Sequence, residues 1–115
     1  MNVITMDINV EKIGQITVIE MFGELDSNTA PGIQQQIMPL VEKNSKILLD
    51  MSHVTYMSSA GLRTLLLLYR RIRDNIGHIV IAGLSDEVRD VMAITGFLDC
   101  FATFENRTAG LKALG

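Results

Sequence analysis

Residues 46–82 read KILLDMSHVTYMSSAGLRTLLLLYRRIRDNIGHIVIA, and this stretch decides the fold. Lys46-Ile47-Leu48-Leu49-Asp50-Met51 is a short apolar run, and His78-Ile79-Val80-Ile81-Ala82 is a second. Runs of that length suit strands buried on both faces of a sheet. Between them, Ser59 to Asn75 reads as the strongest helix of the chain, with Leu62, Leu65, Leu66, Tyr69, Ile72 and Ile76 on one face at helical spacing. Strand, long helix, strand is a crossover unit, so the two strands are predicted to be parallel and joined in the right-handed sense.

Working outward towards the N-terminus, Ile4, Met6, Ile8 and Val10 alternate with Thr5, Asp7 and Asn9, which predicts a strand over 3–10 with one buried face. A second strand is predicted over 16–22. The short, Gly14-containing connection 11–15 makes the pair an antiparallel hairpin. Residues 23–29 read as a loop ending in helix-capping residues. Pro31 suits the first turn of the next helix, which is expected to run to about Lys43 with Ile33, Ile37, Leu40 and Val41 inward. Pro39 should kink or break it, because it removes the bond to the carbonyl of Gln35.

On the other side, Ser85 is a good N-cap with Asp86 and Glu87 in the first turn. That helix should turn Val88, Val91 and Met92 inward, with Ile94 at the edge, and stop at Gly96. A short strand over 101–104 and a helix from Asn106 or Thr108 to Leu114 complete the chain. The order is ββαβαβαβα, a single α/β domain over 1–115 with a mixed, mostly parallel sheet packed against helices.

Composition narrows the function. With 48% hydrophobic and 20% charged residues among 115, the chain has material for a core and is not disordered. A net charge of −3 argues against direct binding of nucleic acid. A lone cysteine, Cys100, excludes an internal disulfide and any multi-cysteine metal site, and it reads as a small buried hydrophobe. The N-terminus lacks the pattern of a signal peptide and the longest apolar run, 65–69, is too short to span a bilayer, so a cytoplasmic protein is expected.

Catalytic chemistry finds little footing. A nucleophile needs a base, and only His53 and His78 are present. Both read as surface histidines without metal-ligand spacing, so no catalytic residue, metal or cofactor is expected. Val54-Thr55-Tyr56-Met57-Ser58-Ser59-Ala60-Gly61-Leu62-Arg63 stands out instead. It sets two serines and a glycine at the mouth of the long helix, at the strand end where α/β sheets bind ligands and partners. From position alone, Ser59 reads first as an N-cap. Gly61 in the first turn costs about 1 kcal/mol relative to alanine, which points to a neighbour that needs a bare backbone there.

Three stretches together resemble the STAS domain, the family of bacterial anti-sigma-factor antagonists (anti-anti-sigma factors). Gly23-Glu24-Leu25-Asp26 is similar to the family's motif after its second strand, and Leu48-Leu49-Asp50 with Val54-Thr55-Tyr56-Met57 to its third strand and following loop. Ser58-Ser59-Ala60-Gly61-Leu62 is similar to its switch motif, commonly Asp-Ser-Ser-Gly-Leu or Asp-Ser-Thr-Gly-Leu. The resemblance implies partner switching: the unphosphorylated form binds an anti-sigma factor that is also a serine kinase of the histidine-kinase-like ATPase type. Phosphorylation releases it, and a metal-dependent serine phosphatase resets it. Carried over by register, Ser59 is the phosphoacceptor, Ser58 a second candidate, and Glu24, Asp26, Thr29, Ser58, Ser59, Ala60, Gly61, Leu62 and Arg63 the partner-binding positions. The family default is a monomer with no activity of its own. Ser58 stands where the family has Asp and Ala60 where it has a hydroxyl, which resembles the Ser-Ser-Ala-Gly-Leu-Arg branch of partner-switching modules.

The physics of such a switch is independent of the family. Phosphate on Ser59 adds about −1.5 to −2 charges facing free N–H groups at a helix N-terminus, so the fold tolerates it. A docking partner has to desolvate or expel that charge, with Asp26 nearby. Leu67 and Leu68 fall off the main stripe of the long helix, and Arg70, Arg71 and Arg73 cluster on its polar side, where they either face solvent or meet an acidic partner. Two other readings stay open. One is a non-phosphorylated STAS scaffold or adaptor, stressosome-like or transporter-associated, in which Ser59 only caps the helix. The other is a serine hydrolase using Ser59 and His53, which lacks a nucleophile elbow.

Overall fold

A computed structural model describes residues 7–115. Its elements are β1 (Asp7–Ile13), β2 (Ile16–Leu25), α1 (Ala30–Ile37), β3 (Lys46–Met57), α2 (Ser59–Asp74), β4 (His78–Ala82), α3 (Asp86–Ile94), β5 (Ala102–Phe104) and α4 (Arg107–Leu114), with 3-10 turns at Met38–Leu40 and Leu98–Cys100. The five strands form one sheet in the order β1-β2-β3-β4-β5. Only β1 is antiparallel to its neighbour; the other pairs are parallel, as a crossover chain requires. The predicted ββαβαβαβα order is the observed one.

The pleat divides the core in two. Ile19, Met21, Ile47, Leu49, Met51 and Ile81 point to the face covered by α1, α2 and α3. Ile16, Val18, Leu48, Val80 and Ala82 point to the other face, where Leu111 and Leu114 of α4 close over them. In α1 the apolar stripe is as expected, with Ile33 and Ile37 buried, and the helix gives way to a 3-10 turn at Met38-Pro39-Leu40. Proline at residue 39 lacks the N–H that would continue the α ladder.

Several expectations need correction. Ile4 and Met6 of the predicted first strand lie outside the described residues. β1 runs on to Ile13, so the hairpin turn is only Gly14-Gln15, with Gly14 in the left-handed region at φ 62°. Val10 is exposed, on the strand that forms the edge of the sheet. β2 continues through Gly23-Glu24-Leu25 and β3 through Val54 to Met57, both read as loop. The strands stay paired by slipping register between Glu20 and Phe22 and again between Gly23 and Glu24, so Leu25, Val54 and Met57 return to the core. Ile76, placed on the apolar face of the long helix, is exposed. α2 has ended by Asp74, and Ile76 sits in the left-handed turn that brings the chain back to β4. Ile94, at the edge of the α3 face, is exposed as well. Cys100 is exposed, in the turn before β5, not buried.

Where α4 begins, one cation gathers three carboxylates. Arg107 donates to Asp50 Oδ2 through Nε (3.2 Å) and Nη2 (3.0 Å), and Nη1 lies 2.6 Å from Glu11 Oε1. Nη2 is also 3.5 Å from Glu20 Oε2. Burial on its own pushes the Asp50 carboxyl up, but the hydroxyl and backbone N–H of Ser52 and the Arg107 guanidinium outweigh it and hold the carboxyl below the ordinary range. A depressed folded value means that this stabilisation is complete above the unfolded pKa of about 3.9 and is lost as pH falls through the folded value. Arg107→Met is therefore expected to cost about 2 kcal/mol near neutral pH. Urea midpoints measured from pH 7 down to pH 2 should show the gap between wild type and variant closing at the acid end; a pH-independent gap would contradict the pairing.

Candidate functional site

β2 and β3 end side by side, with Leu25 in register with Met57, and both chains turn at the same edge of the sheet. After β2 the turn is held from within. Asp26 Oδ1 accepts from the N–H of Asn28 (2.9 Å) and of Thr29 (3.2 Å). Thr29 Oγ1 donates to the Glu24 carbonyl (2.8 Å) and accepts from the Asp26 N–H (2.9 Å). An aspartate and a threonine three residues apart can do this because each side chain mimics a backbone turn. After β3, the Ser58 N–H donates to the Leu25 carbonyl at 2.9 Å, which ties the start of α2 to the end of β2.

The structure then separates the two serines. Ser58, not Ser59, is the N-cap: its backbone is extended and its Oγ accepts from the Gly61 N–H at 3.4 Å. The cap preference that pointed to Ser59 falls one residue earlier, because β3 extends to Met57 and leaves Ser58 as the first residue free to cap. Ser59 occupies the first helical position, is exposed, and its hydroxyl has no hydrogen-bond partner among the described residues. Ser58→Ala should thus cost about 1 kcal/mol of stability in a denaturant titration, and Ser59→Ala close to nothing; the reverse ranking would contradict this assignment.

Gly61 explains itself here. A Cβ at this position would overlap the Leu25 carbonyl oxygen, with Leu25 Cγ 2.7 Å and its carbonyl carbon 2.9 Å away. The bare backbone lets the first turn of α2 rest on the last residue of β2. Of the nine positions implied by the resemblance, Thr29, Gly61 and Leu62 are buried and hold this joint together. Glu24, Ser59 and Arg63 are exposed, and Asp26, Ser58 and Ala60 are half-buried around them.

Ser59 and Arg63 form a ridge between two grooves. One, of about 330 Å³, lies against α1 and includes Ser27, Pro31 and Gln34. The other, of about 460 Å³, lies against the end of α3 and is walled by Leu66, Leu67 and Phe97, with Arg70 at its far end. Leu67, off the main stripe of the helix, hinted at it and is half-buried here, whereas Leu68 is fully buried in the core. Phe97 carried no signal, since only the fold brings it beside α2.

His53 is committed elsewhere. Its ring stacks on Phe22 with centroids 4.8 Å apart, and Nδ1 lies 3.7 Å from Glu20 Oε2 and 3.3 Å from Ser52 Oγ. Glu20 also meets Arg107, so this histidine belongs to the sheet face that carries α4, while Ser59 opens a helix on the opposite face. Among the described residues, no group of three or more His, Cys, Asp or Glu side chains is arranged to hold a metal ion, and no helix is long and apolar enough to cross a membrane.

Comparison with known proteins agrees with this architecture. A Bordetella bronchiseptica protein named as a candidate anti-sigma factor antagonist, BtrV, is 31% identical over 109 residues, covering 94% of each chain. Among solved structures, an anti-sigma-factor antagonist (STAS) domain protein from Planctomyces limnophilus superposes with a TM-score of 0.86 at 20% identity, covering 93% of this chain and 97% of that one. The Bacillus cell fate determinant SpoIIAA in its phosphorylated form superposes with a TM-score of 0.72 at 18% identity, covering 95% and 100%. The family profile described as the STAS domain matches residues 7–109, which with the observed topology establishes that the chain belongs to the STAS domain family.

Proposed function

We propose that this protein is an anti-sigma-factor antagonist that works as a phosphoswitch, with Ser59 as phosphoacceptor and the surface around the start of α2 as docking site. One observation carries the reading: of the two adjacent serines at the helix mouth, Ser58 is used up as the cap and Ser59 is exposed with an unengaged hydroxyl. The names of relatives support the same reading, BtrV among them, as does SpoIIAA, a protein of this fold solved in a phosphorylated form.

In this reading the unphosphorylated protein binds an anti-sigma factor that is also a serine kinase. Ser59 Oγ attacks the γ-phosphorus of ATP held by that kinase, an O–P bond forms as the bond to ADP breaks, and the hydroxyl proton leaves to a base of the kinase. A metal-dependent phosphatase hydrolyses the ester again. The chain itself contributes no catalytic group. The phosphate is accommodated because the first turn of α2 has no acidic residue, it lies at the positive end of the helix dipole, and Arg63 lies one turn on. A partner packed against that point meets a dianion that it has to desolvate or expel.

The test is phosphoryl transfer from radiolabelled ATP by the cell's own histidine-kinase-like anti-sigma factor, with wild type, Ser58→Ala and Ser59→Ala as substrates. Label on wild type and Ser58→Ala but not on Ser59→Ala is expected. Equal labelling of both variants, or of Ser59→Ala alone, would overturn the assignment.

A further inference from the structure

The groove between α2 and the end of α3 carries more information than a place to dock. α2 holds Arg63, Arg70, Arg71 and Arg73 against one carboxylate, Asp74, in a chain of net charge −3. Two of these arginines have local explanations. Arg71 and Arg73 lie in the last turn, where a cation complements the helix dipole, and Arg73 also stands over the Tyr69 ring and 3.8 Å from Asp74. Arg63 has none, and Arg70 has only Asp74 one turn on, with which it forms no ion pair. Arg63 sits near the positive end of α2, where a cation is disfavoured and no acidic residue of the first turn offsets it. Both are exposed, and among the described residues neither has a carboxylate within 4.0 Å.

These two arginines are seven residues apart, two turns or about 10 Å along the helix, and both line the same groove of about 460 Å³. Between them its wall is mostly apolar, with Leu62, Leu66 and Leu67 from α2 and Phe97 from beyond α3, and Thr95 at the end of α3 beside them. The recess is thus a greasy slot with an unpaired cation at each end, opening on a protein that is otherwise acidic.

We propose that this groove seats an amphipathic helix of the partner, which inserts apolar side chains between Arg63 and Arg70 and pairs them with two acidic residues spaced seven apart. The inference rests on the docking role proposed above and gives that partner's contact element its chemistry. It also says how the switch acts. Ser59 lines the head of the same groove beside Arg63, so a phosphate on Ser59 engages Arg63 and stands against the partner's first carboxylate. Release then comes from loss of a cation as well as from repulsion.

The experiment titrates isotopically labelled, unphosphorylated protein with a stapled helical peptide in which two glutamates, seven residues apart, bracket a Leu-Leu pair. A second peptide has lysines in place of the glutamates. Amide shifts are expected at Leu66, Leu67 and Phe97, with the glutamate peptide bound about tenfold more tightly. The double reversal Arg63→Glu with Arg70→Glu should invert that preference, which a merely unfolded variant cannot do. Raising the salt to about 1 M should erase most of the difference. Equal binding of both peptides, shifts that map to another surface, or no binding at millimolar peptide would overturn the proposal. No phosphate and no kinase enter this titration, so its failure leaves the Ser59 switch untouched. Conversely, a Ser59 that is never phosphorylated leaves the groove result standing.

Discussion

Gly61→Ala should destabilise the protein by about 2–3 kcal/mol, lowering Tm by roughly 10 °C for a domain of this size. Helix propensity alone gives the opposite sign, because alanine is favoured over glycine in a helix interior by about 1 kcal/mol. The difference lies in what the methyl group meets. It would fall on the Leu25 carbonyl and side chain, and Leu25 is fully buried at the end of β2. Backbone cannot swing aside as a side-chain tip can, so α2 has to lift from the strand end. That motion also strains the bond from the Ser58 N–H to the Leu25 carbonyl. Thermal unfolding by circular dichroism checks the point: a variant as stable as wild type, or more so, would show that the close approach does not constrain the joint. Gly96, with a positive φ of 79° and no atom in the way of a Cβ, is the useful control. Substitution there strains the backbone without moving α2.

If the proposed switch operates, Ser59→Asp should weaken binding to the proposed anti-sigma factor kinase about 100-fold, or about 2.7 kcal/mol, while leaving Tm at the wild-type value or raised by no more than about 4 °C. The two halves of this prediction have separate causes. A negative charge in the first turn of α2 interacts favourably with the helix dipole, a contribution of about 0.3–1 kcal/mol, and the exposed side chain breaks no hydrogen bond. At the docking surface the same charge has to be desolvated against the partner. Ser58→Asp is the informative comparison, because aspartate is also a good cap and keeps the hydrogen bond to Gly61. Calorimetric titration of the three proteins should give strong binding for wild type, weaker binding for Ser59→Asp, and an intermediate value for Ser58→Asp. Wild-type affinity in Ser59→Asp would remove the switch and leave a constitutive adaptor.

Much of this was legible in the chain itself, and the parts that were not share a cause. The crossover from β3 through α2 to β4 could be read because each element has its own periodicity, and β4 falls on the residues expected of it. The cap at Ser85 was legible for the same local reason, and the structure selects Asn106 over Thr108 as the start of the last helix; each accepts the bond that a cap should. The ends of β2 and β3 were not, because Gly23 and the Ser52-His53 pair interrupt the apolar pattern. Only the slipped pairing between the strands restores it. That one error moved the cap: with β3 stopping at Met51, Ser59 read as the cap, and with β3 ending at Met57 the geometry selects Ser58. Gly61 announced a close neighbour without saying which, since Leu25 is far away in sequence. Phe97 and Arg70 became parts of one groove only when α3 was packed beside α2. The pairing of Arg107 with Asp50 is likewise invisible in a linear reading, as it joins the start of the last helix to the central strand, far away in sequence.

The central claim is that Ser59 carries a reversible phosphate, and intact-mass and phosphopeptide analysis of the protein purified from its native cell tests it most directly. Before phosphatase treatment, a fraction of the protein is expected to be heavier by one phosphoryl group, located on Ser59 and not on Ser58. After treatment that fraction should disappear. An unmodified Ser59 across growth and stress conditions, or a phosphate confined to another residue, would contradict the account.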